Sequence, residues 1–418
     1  MKPPIFFELP TRFLMPIAAF TSKPERVLQN QTRIYLDHAA TTPLSQVARD
    51  AMSPYFAEVF GNASSPYAVS REARGAVDHA RAQVAALIGA HADEIAFTSG
   101  GTESDNWALL GVALANIESL KAAEKGHFIV SNIEHHAVLE AAGTLRALGF
   151  EVDEARADEN GVVHADEIAR LLKPSTLLAS VMAVNNETGA IQPTAEIGAL
   201  CRARGVLFHA DAVQAAGKIA VDVKNWNCDL LSLSAHKIGG PKGVGALYIR
   251  RNTMMRSLLR GGGQERGRRA GTENTPGIVG MGAAVQSARE NLETNAARLS
   301  TLGARLESEL TNLGAKINAQ NALRAPHIVN ASLPNQRAET LALNLDLKGF
   351  AVGTGSACAS GAIESSHVLS AMGLDRETSR ASLRISLGVQ NTLGEIEEFL
   401  EALKNLIHRE SRKGREAF

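Results

Sequence analysis

Six short apolar runs, EIAFTS, HFIVS, LLASVMAV, VLFHAD, CDLLSLS and GALYIR, alternate through residues 94–250 with stretches that mostly carry helical periodicity. This alternation constrains the fold more than any other feature. Parallel strands need long crossover connections, usually helical, so strand-helix alternation predicts a mainly parallel sheet sandwiched by helices, an α/β architecture. The best amphipathic helix covers Ser70 to Ile88, with Ala73, Val77, Ala80, Val84, Leu87 and Ile88 on one face.

At 418 residues the chain exceeds the usual size of one core. From about Asn291 its texture changes to a long helical segment through Leu313, further short strands, a Gly/Ser/Ala stretch around Cys358, and a last helix from about Thr392 to His408. The expected organisation is an N-terminal extension over 1–33, a large domain over 46–290, and a smaller α+β domain built from 34–45 with 291–418. Charge is balanced, 43 basic against 44 acidic residues, which removes the electrostatic footprint of a nucleic-acid binder. No run of eighteen apolar residues is present, so no membrane span is expected. The FLMPIAAF segment is short, interrupted by Pro16, and lacks a secretory cleavage pattern, and Glu8 and Glu25 count against an organellar presequence. The three cysteines, Cys201, Cys228 and Cys358, are far apart and form no C-x-x-C pair, so neither a disulfide framework nor a metal site is expected; a reducing cytoplasm fits.

Several strand candidates end in polar or glycine residues: Gly100-Gly101-Thr102, Asn185-Asn186-Glu187, Asp211, and His236-Lys237. In an open α/β sheet the ligand crevice lies outside the carboxyl ends of the strands, so these groups should converge. Thr98 to Asn106 runs from strand through two glycines into a helix, an anion site that is no Walker loop because the Gly-Lys-Ser/Thr ending is missing. Alone it is weak evidence, because a Gly-Gly-Thr helix start is more often plain capping. Asp211 can cap the next segment or hold a cationic ligand atom. A lysine beside glycines is usually solvated, but Lys237, at a strand end in SAHKIGGPKG, has the placement of a desolvated Schiff-base amine. A phosphate anchor, a carboxylate for a protonated pyridine nitrogen and an amine for an aldehyde are all required by one ligand, pyridoxal phosphate.

In order, YLDHAATTP, SGGTESDN, EHHAV, VNNETG, HADAVQ, SAHKIGGPKG, RAGTENT, GTGSACASG and RISLG run from about Tyr35 to about Asn391. The chain resembles the cysteine desulfurases, fold-type I pyridoxal-phosphate enzymes of the class-V aminotransferase group. The resemblance implies that Lys237 holds the cofactor aldehyde covalently, that Asp211 pairs with the pyridine nitrogen, and that Gln214 bonds the ring hydroxyl. It places His135 against the ring, Thr102, Ser234 and His236 at the phosphate, and Asn186 with Arg384 at the substrate carboxylate, which a guanidinium grips with two parallel hydrogen bonds. His136 follows on the same helix pointing elsewhere, so the two histidines are not expected to share a metal.

Cofactor residues leave the reaction open, since aminotransferases and lyases share them. Cys358 narrows it. A lone cysteine is usually a small buried residue, the reading taken for Cys201 and Cys228. Cys358 lies in small residues with little to anchor it, where a thiol can reach a site. The resemblance then implies that L-cysteine is converted to L-alanine and a persulfide on Cys358, with His135 exchanging a proton with the substrate thiol, and that the sulfur passes to an acceptor such as an iron-sulfur scaffold or a thiolation carrier. It also implies a homodimer in which Thr272, in the arginine-rich loop Arg260 to Thr275, reaches the neighbouring subunit's phosphate site. The loop from Cys358 to Val368 resembles the branch with mobile cysteine loops. Two features depart from the family: Thr354 stands where serine is frequent, and the tail HRESRKGREAF lacks the apolar segment that docks the cluster scaffold. The alternatives are a selenocysteine lyase or aminotransferase on the same cofactor site, and a non-catalytic partner keeping the fold.

Overall fold

The computed structural model describes residues 33–118, 125–354 and 365–416; side chains are described through His408. The readings made for residues 1–32 and for Cys358 lie outside these. Residues 34–418 form one unit.

The chain enters at β1 (Ile34–Tyr35). Seven strands then build the large sheet: β2 (Ile95–Thr98), β3 (His127–Ser131), β4 (Glu151–Ala155), β5 (Thr176–Ser180), β6 (Leu207–Asp211), β7 (Leu230–Ser234) and β8 (Gly245–Ile249), in the order β2-β8-β7-β6-β5-β3-β4. Successive strand residues point to opposite faces, and both faces are covered, as a parallel sheet requires. Phe128, Val130, Leu178, Leu230 and Leu247 face helices Gly101–Ala115 and His136–Ala147. Ile129, Ala179, Phe208, Leu231 and Tyr248 lie in the core on the other side, with residues of helices Ala68–Leu87, Thr194–Ala203 and Thr275–Glu290.

The sheet is mainly parallel, as expected, with two details that the sequence reading did not specify. Strand β8 pairs antiparallel with both β7 and β2. Only residues 235–244 separate it from β7, too few for a crossover helix, so the chain must turn back. The strand β4 was not anticipated: EVDEA is half exposed at the sheet edge and carries no apolar run.

A second core joins β9 (Lys316–Ile317), β10 (Ile328–Ser332), β11 (Phe350–Ala351) and β12 (Ser382–Ser386) to helices Leu292–Asn312, Ala338–Asp346 and Leu393–Glu416. The strands β12-β10-β9 form an antiparallel sheet, while β11 pairs parallel with β1. Leu36, Leu306, Leu341, Ile385, Phe399 and Leu403 are buried in this core. Val368, Leu369 and Met372 belong instead to the core of the large sheet. The loop read as running to Val368 therefore ends earlier, because helix His367–Ala371 starts there, capped by the Ser366 hydroxyl, which accepts from Leu369 N.

The arginine-rich loop is pinned to the large core. Glu265, buried, accepts two hydrogen bonds from Arg81 at 2.6 and 2.9 Å and one from Phe97 N, while Arg81 lies 4.8 Å over the Phe97 ring. Arg269 pairs with Glu103. Among the described residues no helix is long and apolar enough to cross a membrane.

Candidate active site

Because β8 alone runs backwards, the carboxyl ends of β2, β3, β5, β6 and β7 share one edge, and a cleft of about 730 Å³ opens there. Thr102, His135, Asn186, Asp211, Gln214, Ser234, His236, Lys237 and Arg384 all line it. Residues from six separate motifs thus meet at one place. Thr272 is exposed and does not line this cleft.

Lys237 follows β7 on one turn of 3-10 helix and donates to the carbonyls of Ala39 at 2.5 Å and Ala40 at 2.8 Å. Burial, helped by the Arg384 charge, pushes its pKa down to about 8, against the opposing pull of Asp211 and Asp37. Asp211 ends β6, where its carboxylate accepts from Val213 N at 2.9 Å; burial pushes its pKa up to about 6. Helix Gly101–Ala115 starts with Gly100 at its cap position and no side-chain capping bond, so first-turn N–H groups remain for an anion at the cleft wall. Gly101 leaves no room for a side chain: a Cβ there would lie 2.9 Å from Val213 Cγ2.

His135 caps helix His136–Ala147, its Nδ1 accepting from Ala137 N at 3.1 Å. Its ring opens on the cleft, yet loss of hydration, then the Lys237 charge, holds its pKa at about 4. A neutral ring that accepts at Nδ1 carries its proton on Nε2. Burial and the Lys237 charge likewise hold His236 at about 4, with its Nδ1 3.0 Å from Thr41 Oγ1. Gln214 donates to Ala39 O.

Arg384 stands on β12. Its Nη1 donates to Asn186 O at 3.0 Å and its Nη2 to Asp37 Oδ1 at 2.9 Å, while Nε is buried without a hydrogen-bond partner. The guanidinium has five N–H groups, so donors remain for a bound carboxylate.

Glu187, expected among the converging strand-end groups but given no task, lines the cleft, as do Asp37, Asp105 and His367, which the sequence reading did not assign. Each adjoins or sits within a quoted motif, or lies just past the cysteine stretch, which was the available signal. Glu187 is buried, which raises its pKa to about 7, and accepts from Ser366 Oγ at 2.6 Å. Behind the cleft the buried Glu134 has its pKa raised to about 8 by desolvation, although Ser131 and Met182 N both donate to it at 2.6 Å. His136 lines the cleft mouth with its ring 4.9 Å from that of His367, and no cluster able to hold a metal occurs among the described residues. Cys201 and Cys228 are buried, as expected of small core residues, and burial pushes the Cys201 thiol up to about 12.

An uncapped helix start, a buried carboxylate and a desolvated amine in one cleft are the donor set a phosphorylated pyridine aldehyde needs, so the residues fit that cofactor. The family profile Aminotransferase class-V matches residues 34–399. The chain belongs to that family. Cysteine desulfurase IscS of Clostridium botulinum is 46% identical over 380 residues, covering 90% of this chain and 94% of the relative. Cysteine desulfurase IscS of Methanosarcina thermophila is 43% identical over 394 residues, 94% and 96% of the two chains. Among solved structures, a NifS-like protein superposes with a TM-score of 0.84 at 39% identity, covering 90% of this chain and 99% of the other. A structure described as SspA in complex with cysteine gives 0.76 at 35% identity, over 86% and 100%. This class-V enzyme therefore sits in the cysteine desulfurase branch.

Proposed function

We propose that the cleft binds pyridoxal phosphate through Lys237 and that the protein transfers the sulfur of L-cysteine to Cys358, releasing L-alanine. The observation that carries this reading is the meeting of Lys237, Asp211, Asn186 and Arg384 in one cleft. The named relatives, and the relative whose structure contains cysteine, support the substrate. When bound, the cofactor supplies an electron sink for the substrate α-carbon.

Each residue then has a defined task. Asp211 holds the pyridine nitrogen in its protonated form, and the helix start at Gly101 and Thr102 receives the phosphate with Ser234 and His236. Gln214 bonds the ring hydroxyl. Arg384 and Asn186 hold the substrate carboxylate. Lys237, lowered to about 8, is neutral often enough near pH 7 to take the α-proton and return one. His135 exchanges a proton with the substrate thiol through Nε2. The Cys358 thiolate attacks the substrate sulfur: the carbon–sulfur bond breaks, a sulfur–sulfur bond forms on Cys358, and the carbon skeleton takes up protons to leave as L-alanine.

The wider reading is a homodimer in the cytoplasm whose Thr272 completes the neighbouring subunit's phosphate site and whose persulfide passes to an iron-sulfur scaffold or thiolation carrier. We place the domain boundaries at 46–290 and at 34–45 with 291–418, supported by the separate core around β9 to β12. Incubation with L-cysteine and a reductant is expected to give L-alanine and sulfide in equal amounts, with sulfide lost in Cys358→Ser. A Cys358→Ser variant that still releases sulfide overturns the assignment, and consumption of L-cysteine that needs an added α-keto acid and yields that acid's amino acid without sulfide points to transamination.

A further inference from the structure

His327 is 1% exposed immediately before β10, and its carbonyl accepts from Leu387 N at 2.8 Å, just past β12. Its ring makes one hydrogen bond among the described residues, 3.4 Å from Nε2 to Gln214 Oε1. Nδ1 is buried without a partner among those residues. Burial, then the charges of Lys218, His38, Lys237 and Arg384, hold the ring far below its ordinary pKa, so it stays neutral. An imidazole in such a place gives up hydration that an apolar side chain never had, so core packing alone supplies no reason for it.

Gln214 decides which ring nitrogen carries the proton. Its Nε2 donates to Ala39 O at 2.9 Å, a carbonyl that can only accept, so Oε1 is the atom turned to His327. His327 Nε2 is therefore the protonated nitrogen and donates to it. The amide has two N–H groups, and with one on Ala39 the other is left for the cleft that Gln214 lines. One hydrogen bond would leave the amide free to swing about its broad terminal torsion; two fix its plane. Both anchors hang from the end of β12: Ala39 N donates to Ser386 Oγ at 2.9 Å, as Leu387 N donates to His327.

We infer that His327 is a positioning residue for the cofactor ring: its Nε2–H fixes the Gln214 amide so that the free N–H meets the ring hydroxyl oxygen. The inference rests on the reading of Gln214 as the partner of that hydroxyl. His327 does not line the cleft and acts through Gln214.

The test is a pH titration of the absorbance of cofactor-loaded full-length protein. A hydrogen bond donated to the ring oxygen favours its anionic form, so losing that bond raises the midpoint of the titration. Gln214→Ala should raise it by about one pH unit, the scale of one hydrogen bond to a charged group. His327→Leu should raise it by about half a unit or more, and the double variant no further than Gln214→Ala alone. His327→Gln places an amide donor near the Nε2 position and should return the midpoint most of the way. An unmoved midpoint in folded His327→Leu protein, additive shifts in the double variant, or failure of His327→Gln to restore the midpoint overturns the inference; a lowered Tm with an unmoved midpoint makes His327 a core residue only. If His327→Leu does not fold, His327→Asn, whose shorter amide falls short of Gln214, is read in its place. A Gln214→Ala variant with an unmoved midpoint overturns the ring-hydroxyl reading and this inference with it, whereas a shift in Gln214→Ala without one in His327→Leu overturns the inference alone.

Discussion

Lys237 illustrates how burial sets chemistry at a single side chain. An ordinary lysine near pKa 10.4 is almost wholly charged at pH 7, whereas one lowered to about 8 is neutral in roughly a tenth of molecules. Only the neutral amine attacks an aldehyde. Capture of pyridoxal phosphate by the cofactor-free protein should therefore rise about tenfold between pH 7 and 9 and then level off, followed by absorbance in rapid mixing. A rate that keeps climbing to pH 10.5 would show an unperturbed lysine, and Lys237→Ala should capture none. The same shift bears on stability. Between about 8 and 10.4 the unfolded chain binds more protons at this group than the folded one, so its contribution rises with pH through that window; below it both forms are charged and the cost of burying the ammonium is complete. The presence of the amine could be read in SAHKIGGPKG, but its lowered pKa could not: it follows from burial in the folded chain and then from the charge of Arg384, 147 residues away in sequence.

At the scale of elements, β8 explains a glycine that the motif alone does not. Gly245 sits opposite Thr98 on β2 and Ser234 on β7, the two strand ends that lead to the anion site and to Lys237. A Cβ there would lie 2.6 Å from the Gly100 backbone and from Leu233 O. Gly245→Ala should push the Gly100–Gly101 turn out of place, weakening cofactor affinity by about tenfold or more with a lowered Tm, because overpacking at backbone contact cannot be relieved by a rotamer change. Equilibrium titration with the cofactor checks it; unchanged affinity would mean the turn tolerates displacement. Strands buried on both faces were readable as apolar runs. The reversal of β8 is not legible in its apolar run, which carries no direction; only the short 235–244 connection forces the turn. The edge strand β4 escaped because its exposed residues leave no apolar signal.

For the whole molecule, the exposed Thr272, absent from the cleft of its own chain, is the residue that separates a self-sufficient monomer from a shared site. In a dimer with shared sites, mixing Lys237→Ala subunits with Thr272→Ala subunits creates one intact site per mixed dimer. Each variant alone should be inactive or impaired, and the remixed sample should regain up to about half the activity per dimer that is mixed, with additive mutations confined to the other site. No gain on mixing, in a sample shown by sedimentation to have exchanged subunits, would place Thr272 outside any shared site.

The order of motifs from Tyr35 to Asn391, the strand-helix alternation and the residue types needed for a pyridine aldehyde, a phosphate and a carboxylate were all present in the one-dimensional chain, because backbone periodicity and side-chain chemistry are local properties. What folding alone decided is where distant parts meet: the reversal of β8, the removal of water around Lys237, Asp211 and Glu134, and the contact of Glu187 with a serine 179 residues further along. Those depend on packing between segments, and the free energy of a charge or hydrogen bond is set by what surrounds it in space.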